Sequence, residues 1–245
     1  MGLYELFING QRIGEQVLAP APTDYRKTIL YNTYDVTPQL QKENAIGVIL
    51  GNGRFYTMRQ NYKPYKIPTF GYPKLRLNLI VEYTDGSRQT IASDISWKLT
   101  TEGPIRSNNE YDGEEYDARK ELGDWNRTGY DDTNWIPAGR VSIPSGTLRA
   151  QMMPGMKVTE SLKPVSIRKQ GDKHILDIGQ NMAGWLRIRI KGQAGDSIRL
   201  RFAERLQADG EIFTKNLRDA HCTDIYVVSG REPQDATWAP RFVYH

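Results

Sequence analysis

Acidic side chains are concentrated in one stretch of the sequence, GPIRSNNEYDGEEYDARKE, which covers residues 103–121. The stretch holds six Asp and Glu residues and lacks the apolar periodicity of a long helix. Paired carboxylates carry general acid and base chemistry, clustered carboxylates bind calcium, and carboxylates that meet cations dock one domain on another. The residue types therefore indicate a catalytic site, a metal site or a docking loop.

The catalytic interpretation requires acids that repeat along one face of a strand. In all-β enzymes that hydrolyse glycans, a Glu-x-Asp-x-Glu or Glu-x-Asp-x-x-Glu strand directs two carboxyl groups toward one cleft. Glu115 and Asp117 begin this pattern, but Arg119 and Lys120 occupy the positions where the next acid is needed. A small sandwich hydrolase that uses Glu114, Glu115 and Asp117 is therefore the least favoured alternative, and no catalytic residue is assigned.

The metal interpretation takes Asp112, Glu114 and Asp117 as oxygen ligands of calcium, together with backbone carbonyls. Their spacing does not match an EF-hand loop, so calcium stays an alternative and no metal ligand is assigned.

The third interpretation is structural. Asp117 and Arg119 stand two positions apart, on one face of a strand, where they can order a loop or meet a neighbouring domain. The residues favour this structural role.

Other catalytic signatures are sparse in the sequence. The three histidines, His174, His221 and His245, belong to no HExxH, SxxK or GxSxG motif. Cys222 is the only cysteine, which excludes an internal disulfide and a cysteine-based zinc cluster. The GNG at residues 51–53 lacks the spacing of a dinucleotide-binding loop, so it is interpreted as a turn.

The bulk composition limits the classes of partner. The 33 Lys and Arg residues are interleaved with 29 Asp and Glu residues and form no basic cluster, so a nucleic acid partner is not expected. No apolar run approaches the roughly 18 residues of a membrane span, so a membrane partner is not expected either. The first residues, MGLYELFING, lack the charged and apolar regions of a signal peptide, and the compartment is left open.

Short alternating segments bounded by turn residues predict an all-β chain. The Asn9-Gly10 pair predicts a tight hairpin directly after the first strand. Helical periodicity is limited to a short turn over residues 37–43, with Thr37 as N-cap and Pro38 next to it. The predicted strands cover residues 3–8, 28–35, 45–50, 76–83, 89–92, 97–100, 165–168, 174–178, 184–191, 197–204, 224–228 and 237 onward.

A change of composition predicts two domains. Residues 130–154 are rich in Asp, Gly, Pro and Ser and lose the alternation, which is typical of a connection. We therefore expect a first domain over residues 1–140, a linker over 141–157 and a second domain over 158–245. A strand begins almost at the first residue and another is interrupted at the end, so we expect the first domain to lack its first strands and the second to be truncated.

One hairpin can be predicted in detail, in WLRIRIKGQAGDSIRLRF. Ile188 and Ile190 alternate with basic residues, and so do Ile198 and Leu200. The pattern predicts two paired strands with one apolar face and one basic face. The basic face would meet an acidic surface or lie in solvent.

Several segments, in this order, resemble the N-terminal β-sandwich region of bacterial α-L-rhamnosidases. They are GLYELFINGQRIG, LAPAPTDY, YNTYDVT, NAIGVILGNGRFY, GPI with YDGEEYDAR, DIGQNMAGWLRI, AERLQADGEIF, NLRDAHCTDIY and PRFVYH. The resemblance implies an all-β fold of two β-sandwich domains, a galactose-binding-like jelly roll followed by a concanavalin-like sandwich. It also implies a parent protein that is an inverting glycoside hydrolase, whose catalytic (α/α)6 domain is the partner of this region.

By resemblance, the chain is a non-catalytic accessory region that supports the catalytic domain, contacts rhamnose-containing glycans and is inactive alone. The alternative is an autonomous carbohydrate-binding module. Two motifs of the family have counterparts here, and they give the candidate carbohydrate or domain-interface residues. These are Asp112, Glu114, Asp117 and Arg119 in the first motif, and Asp177, Gln180 and Asn181 in the second. Members of the family occur both inside cells and exported.

Overall fold

A computed structural model describes residues 1–57, 69–233 and 235–245. Its regular structure consists of β-strands and three short 3-10 helices, so the all-β prediction is confirmed. In these residues, no helix is long and apolar enough to cross a bilayer. The strands are β1 Leu3–Ile8, β2 Gln11–Ile13, β3 Thr28–Tyr31, β4 Ile46–Gly51, β5 Asn78–Glu82, β6 Arg88–Ala92, β7 Lys98–Leu99, β8 Ile105–Asn109, β9 Gly113–Asp117, β10 Ile136–Pro137, β11 Thr147–Ala150, β12 Ser166–Gln170, β13 Lys173–Asp177, β14 Ile188–Arg189, β15 Ser197–Arg201, β16 Thr223–Val227 and β17 Thr237–Trp238.

The chain forms two compact units whose segments alternate along the sequence. The first unit consists of Met1–Glu15, Ala19–Gly103 and Leu122–Gly155. The second unit consists of Gln16–Leu18, Pro104–Glu121 and Met156–His245. The acidic stretch therefore packs within the second unit, which the sequence pattern did not indicate. The domain limits given above stay a prediction.

In the first unit, β1 is the middle strand of a sheet with the order β2-β1-β4. The hairpin at Asn9 and Gly10 is confirmed, with φ angles of 51° and 83° that a tight primed turn requires. β1 thus has a hydrogen-bonded neighbour on each edge. Nearby, Phe55 is fully buried and packs edge-on against Tyr25, with ring centroids 5.0 Å apart.

The remaining sheets of the first unit are two-stranded. β5 and β6 form a hairpin around Asp85 and Gly86, and β7 pairs with β10. β11 lies within the predicted linker and pairs in parallel with β3. The predicted turn at residue 37 is a 3-10 helix over Thr37–Gln39, in which Val36, and not Thr37, is the N-cap.

The second unit is organised by a four-stranded sheet with the order β15-β16-β9-β8. β9 and β16 pair in parallel, with Glu115 opposite Ile225, although about a hundred residues separate them in sequence. Buried side chains of this unit form one core cluster. Its members are Tyr116, Ala118, Ile190, Tyr226, Val228 and Trp238.

The predicted hairpin between residues 186 and 202 is wrong in its pairing. β14 pairs with β17, and β15 pairs with β16. The alternation itself is confirmed, because Ile198 and Leu200 pack against the core cluster while Arg199 is exposed. Alternation fixes which face of a strand is buried, but it does not select the neighbouring strand.

Gly113 begins β9 at a point where another strand approaches closely. Its φ angle is +106°, and a Cβ atom at this position would lie 2.1 Å from the carbonyl oxygen of Thr223. A side chain would therefore separate β9 from β16. Gly171, in the turn between β12 and β13, has a φ of +63° with nothing within 4 Å of its Cβ position.

We expect Gly113→Ala to destabilise the second unit by about 2 kcal/mol or more, because it combines backbone strain with a clash against backbone. Gly171→Ala is the matched control and should cost about 1 kcal/mol, since only its φ angle is unfavourable. Chemical denaturation of both variants measures the difference. Equal losses would show that the close approach at Gly113 contributes nothing.

Candidate functional site

β9 positions the acidic residues because it is an inner strand of the four-stranded sheet. Side chains alternate along a strand, so Glu114 and Tyr116 point to one face while Glu115 and Asp117 point to the other. Glu114 is 1% exposed and Asp117 is 8% exposed, whereas Glu115 lies in solvent. The strand therefore separates Glu114 from Glu115 and Asp117, and of the two acids that share a face only Glu115 lies in solvent.

The Glu114 carboxyl group binds backbone that lies far along the chain. Its Oε1 accepts the N–H of Arg241 at 3.1 Å, and its Oε2 accepts the N–H of Phe242, also at 3.1 Å. Burial raises the pKa of Glu114 to about 8, while the two N–H donors act in the opposite direction. This carboxyl group thus fixes the segment that contains Arg241 and Phe242 on the sheet.

Asp224 and His245 extend this buried polar cluster. Asp224 is fully buried in β16, and its Oδ1 accepts the backbone N–H of Glu114 at 2.9 Å. The same oxygen lies 3.0 Å from Nε2 of His245, whose side chain is 3% exposed and stacks on Phe202 with ring centroids 4.0 Å apart. Burial opposes a charge on His245, but Asp224, together with Cys222, raises its pKa to about 9.

The sequence patterns did not predict this cluster, although the sequence contains one signal of it. Asp224 occupies a position of the alternating segment TDIYVV whose other inward members are Tyr226 and Val228. An acid on the apolar face of a strand requires a buried partner. His245 is that partner here, and the two residues are 21 positions apart in sequence.

Asp117 and Arg119 form the local pair that their spacing predicted, although Arg119 lies in a 3-10 helix and not on the strand. Nε and Nη2 of Arg119 donate to Oδ1 and Oδ2 of Asp117 at 2.9 and 2.8 Å. The Asp117 carboxylate also caps the 3-10 helix by accepting the backbone N–H of Arg119 at 3.0 Å. The Arg119 side chain holds the pKa of Asp117 below its usual value.

Asp112 ties the turn between β8 and β9 to the strand that follows Cys222. Its Oδ1 accepts the backbone N–H of His221 at 3.1 Å, and its carbonyl oxygen accepts the N–H of Thr223 at 2.9 Å. These bonds hold the two strands together at the point where Gly113 allows their close approach. Asp112 therefore has a structural task within the second unit.

Two tyrosines of the core each donate a hydrogen bond to a glutamate. Tyr116 donates to Glu121, and Tyr226 donates to Glu232 at 3.1 Å. Their rings stack with centroids 5.6 Å apart, and Trp238 packs beside both. Burial, followed by the glutamate contact, raises the pKa of each tyrosine well above its ordinary value.

A groove of about 530 Å³ opens beside these residues. It lies next to the Asp117–Arg119 pair, and both charged and hydroxyl groups line it. The lining residues are Ala118, Arg119, Glu121, Ala194, Tyr226, Ser229, Arg231, Glu232, Pro233, Ala236 and Thr237. Its size falls in the range of ligand-binding sites, and its donors and acceptors suit a polar ligand.

The second predicted motif lies on the surface of the second unit. Asp177 ends β13, and its Oδ1 accepts the backbone N–H of Gly179 at 2.7 Å, which orders the turn. Gln180 and Asn181 follow and are exposed. None of the three lines the groove beside Arg119, so the structure does not bring the two motifs together at that groove.

The predicted calcium ligands are separated by their contacts. Glu114 faces backbone N–H donors, Asp117 is engaged by Arg119, and Asp112 binds the His221 backbone. In the part of the chain that the structure describes, no group of three or more His, Cys, Asp or Glu side chains is arranged to hold a metal ion.

Two family models match the chain and together cover nearly all of it. The model described as the α-L-rhamnosidase N-terminal domain matches residues 1–160. The model described as the bacterial α-L-rhamnosidase concanavalin-like domain matches residues 167–245. The resemblance found from the motifs is therefore confirmed.

Similar proteins agree with these matches and are much longer. An α-L-rhamnosidase of Streptomyces avermitilis is 39% identical over 100% of this chain and 24% of its own length. One of Formosa agariphila is 37% identical, with 26% of its length covered. The chain spans about a quarter of the length of these relatives.

Solved structures show the same fold. The α-L-rhamnosidase from Dictyoglumus thermophilum superposes with a TM-score of 0.91 at 41% identity, covering 100% of this chain and 27% of that one. The Streptomyces avermitilis enzyme complexed with L-rhamnose gives a TM-score of 0.92 at 38% identity, covering 100% of this chain and 24% of that one.

The free energy of unfolding of the second unit should fall as the pH rises from neutral toward 9. His245 has a folded pKa of about 9 against an ordinary value of 6.5, so its stabilisation is complete below 6.5 and is lost as the pH rises through 9. Glu114, raised from 4.5 to about 8, acts in the same direction over a lower range. We expect a total loss on the order of 2 kcal/mol by chemical denaturation.

The matched test of this pH dependence compares two histidine variants. His245→Asn should flatten the decline between pH 6.5 and 9, whereas His174→Asn, at an exposed position of β13, should preserve it. A wild-type slope that persists unchanged in His245→Asn would contradict the assignment to the Asp224–His245 pair.

Proposed function

The chain belongs to the α-L-rhamnosidase family, and we propose that it is a non-catalytic accessory region that supports the catalytic domain of a longer enzyme. The catalytic partner would be the (α/α)6 domain of an inverting glycoside hydrolase, as the resemblance implies. About three quarters of the length of the relatives lies outside the region that this chain matches, which leaves ample room for such a domain.

The observation that carries this proposal is the use of the acidic side chains for internal bonds. Hydrolysis of a glycosidic bond requires two carboxyl groups facing one cleft, at a separation that admits substrate. Glu114 is buried against the Arg241 and Phe242 backbone, and Asp117 is held in a fork by Arg119. Both acids are thereby committed to holding the second unit together.

A second candidate function is carbohydrate binding at the groove beside Arg119. The groove presents a guanidinium group, carboxylates and hydroxyls, which are the partners that sugar hydroxyls select. Arg119 is half-exposed and is oriented by its two bonds to Asp117, so it would enter a complex at low entropic cost. The ligand would be a rhamnose-containing glycan, in keeping with the family.

The accessory role predicts that the chain alone does not hydrolyse an aryl α-L-rhamnoside. The assay uses the purified chain at high concentration over long incubation, with Glu115→Gln as a parallel sample. Glu115 is the exposed acid of β9 and the one that a hydrolase could use most directly. Turnover by the wild type that disappears in Glu115→Gln would overturn the non-catalytic assignment.

Binding at the groove predicts a saturable titration with L-rhamnose, weakened at least about tenfold by Arg119→Ala because a charge-assisted bond is lost. Arg26→Ala is the matched control. In the first unit, Arg26 forms the same fork with Asp24, with Nε 3.0 Å from Oδ1, but it lies away from the lining residues of the groove. Isothermal titration with and without calcium measures the affinity.

Equal affinities for Arg119→Ala and the wild type would place any sugar site elsewhere. A wild-type titration without saturation in either condition would remove carbohydrate binding and leave the accessory role alone.

A further inference from the structure

The hairpin of β12 and β13 has one face that the second unit holds in place. Arg168 donates to the carbonyl oxygen of Gly210, and Gln170 donates to that of Asp209 at 3.3 Å. Lys173, opposite Gln170, lies 3.6 Å from the Glu211 carboxylate. Because Arg168, Gln170 and Lys173 share one face of the hairpin, the turn at 209–211 fixes its orientation.

The opposite face of this hairpin is exposed and carries aliphatic side chains beside Lys169 and His174. Ile167 and Leu176 are direct cross-strand partners on it, with 61% and 37% of their surfaces exposed. Val165, two positions before Ile167, is 69% exposed. We call these three residues the apolar hairpin face. In the part of the chain that the structure describes, β12 and β13 pair only with each other.

Such a face is unusual for a strand pair. A sheet is stabilised by covering at least one of its faces, and here the face held by the second unit is mainly polar, with the half-buried Ile175 as its one aliphatic side chain, while Ile167 and Leu176 lie in solvent. In an isolated domain the apolar face of a strand pair is covered and the polar face lies in solvent, and this hairpin has the reverse arrangement. This inversion is typical of a surface that is buried in a larger assembly.

We propose that the apolar hairpin face docks on the part of the α-L-rhamnosidase polypeptide that lies outside the region matched by this chain. The inference rests on the proposed function and identifies the surface through which the support acts. The relatives provide the occupant, because this chain covers only 24% to 28% of the solved enzymes that it resembles. The remaining chain is large enough to cover the hairpin.

The chemistry of the face excludes the other simple occupants. A second copy, paired face to face, would bring two cationic Lys169 side chains into one apolar interface, since Lys169 shares this face with Ile167. A glycan needs several convergent donors and acceptors, and here only Lys169 and His174 accompany the three aliphatic side chains. The expected partner surface is apolar and bordered by carboxylates that meet Lys169.

The test places this chain in a longer enzyme, replacing the matched quarter of the Streptomyces avermitilis α-L-rhamnosidase. Ile167→Lys should leave the melting temperature of the isolated chain unchanged and lower that of the chimera by several degrees. Ile80→Lys is the matched control, because Ile80 is 60% exposed on β5 of another two-stranded hairpin. It should change neither protein.

A second measurement detects the covering of the face directly. Ile167→Cys and Ile80→Cys are labelled with a thiol reagent, and peptide mapping separates them from Cys222. Labelling at position 167 should be slower in the chimera than in the isolated chain by about tenfold or more, whereas labelling at 80 should not change. Equal rates at 167 in the two proteins would overturn the proposal.

The outcomes also separate this inference from the proposed function. A wild-type chimera no more stable or active than the enzyme without the region would refute the accessory role itself. A stable, active chimera in which Ile167→Lys and Ile80→Lys behave alike would refute only the docking surface. Dimerisation of the isolated chain that Ile167→Lys abolishes would make a second copy the occupant, and would also overturn the proposal.

Discussion

The second unit depends on one buried interaction, in which the Glu114 carboxyl oxygens accept the backbone N–H groups of Arg241 and Phe242. A buried carboxyl group requires hydrogen-bond partners that replace the lost water. Here the backbone of a distant segment provides them. Asp224 completes the arrangement, because it binds both the Glu114 N–H and the His245 ring. Two acids thus join strand β9, strand β16 and the segment after Trp238.

This arrangement gives the acidic stretch a different meaning from the one its composition first indicates. Density of carboxylates is shared by catalytic sites and by structural networks, and burial distinguishes them only when the partners are known. Asp117 orders a 3-10 helix, Asp112 holds a turn, and Glu114 holds a segment. Each acid serves the architecture that presents the groove and the hairpin.

The sequence was sufficient for the elements with local determinants. The hairpin at Asn9 and Gly10 follows from residues that adopt positive φ, and the Asp117–Arg119 pair follows from a spacing of two. The ordered motifs were also sufficient to identify the family. The sequence did not predict the partners of β14 and β15, because alternation along a strand is the same whichever strand lies beside it.

The sequence did not predict the long-range polar contacts, for a related reason. Nothing near Glu114 in the chain specifies that its partners are the N–H groups of residues 241 and 242, since backbone donors have no residue type. The position of Asp224 on an inward face signalled a buried acid, but it did not identify His245. The assignment of residues 104–121 to the second unit also depends on long-range contacts, so the sequence did not predict it.

The parallel pairing of β9 with β16 has a consequence for synthesis on the ribosome. The two strands meet across 110 residues, the separation between Glu114 and Asp224. At about 5 to 20 residues per second, β9 waits roughly 5 to 20 s for its neighbour to be translated. During that interval the strand has an unpaired edge, while the last segment of the first unit, Leu122–Gly155, is translated. The nascent chain therefore carries one unit able to fold early and an acidic, water-soluble strand whose charges keep it from aggregating until its partner arrives.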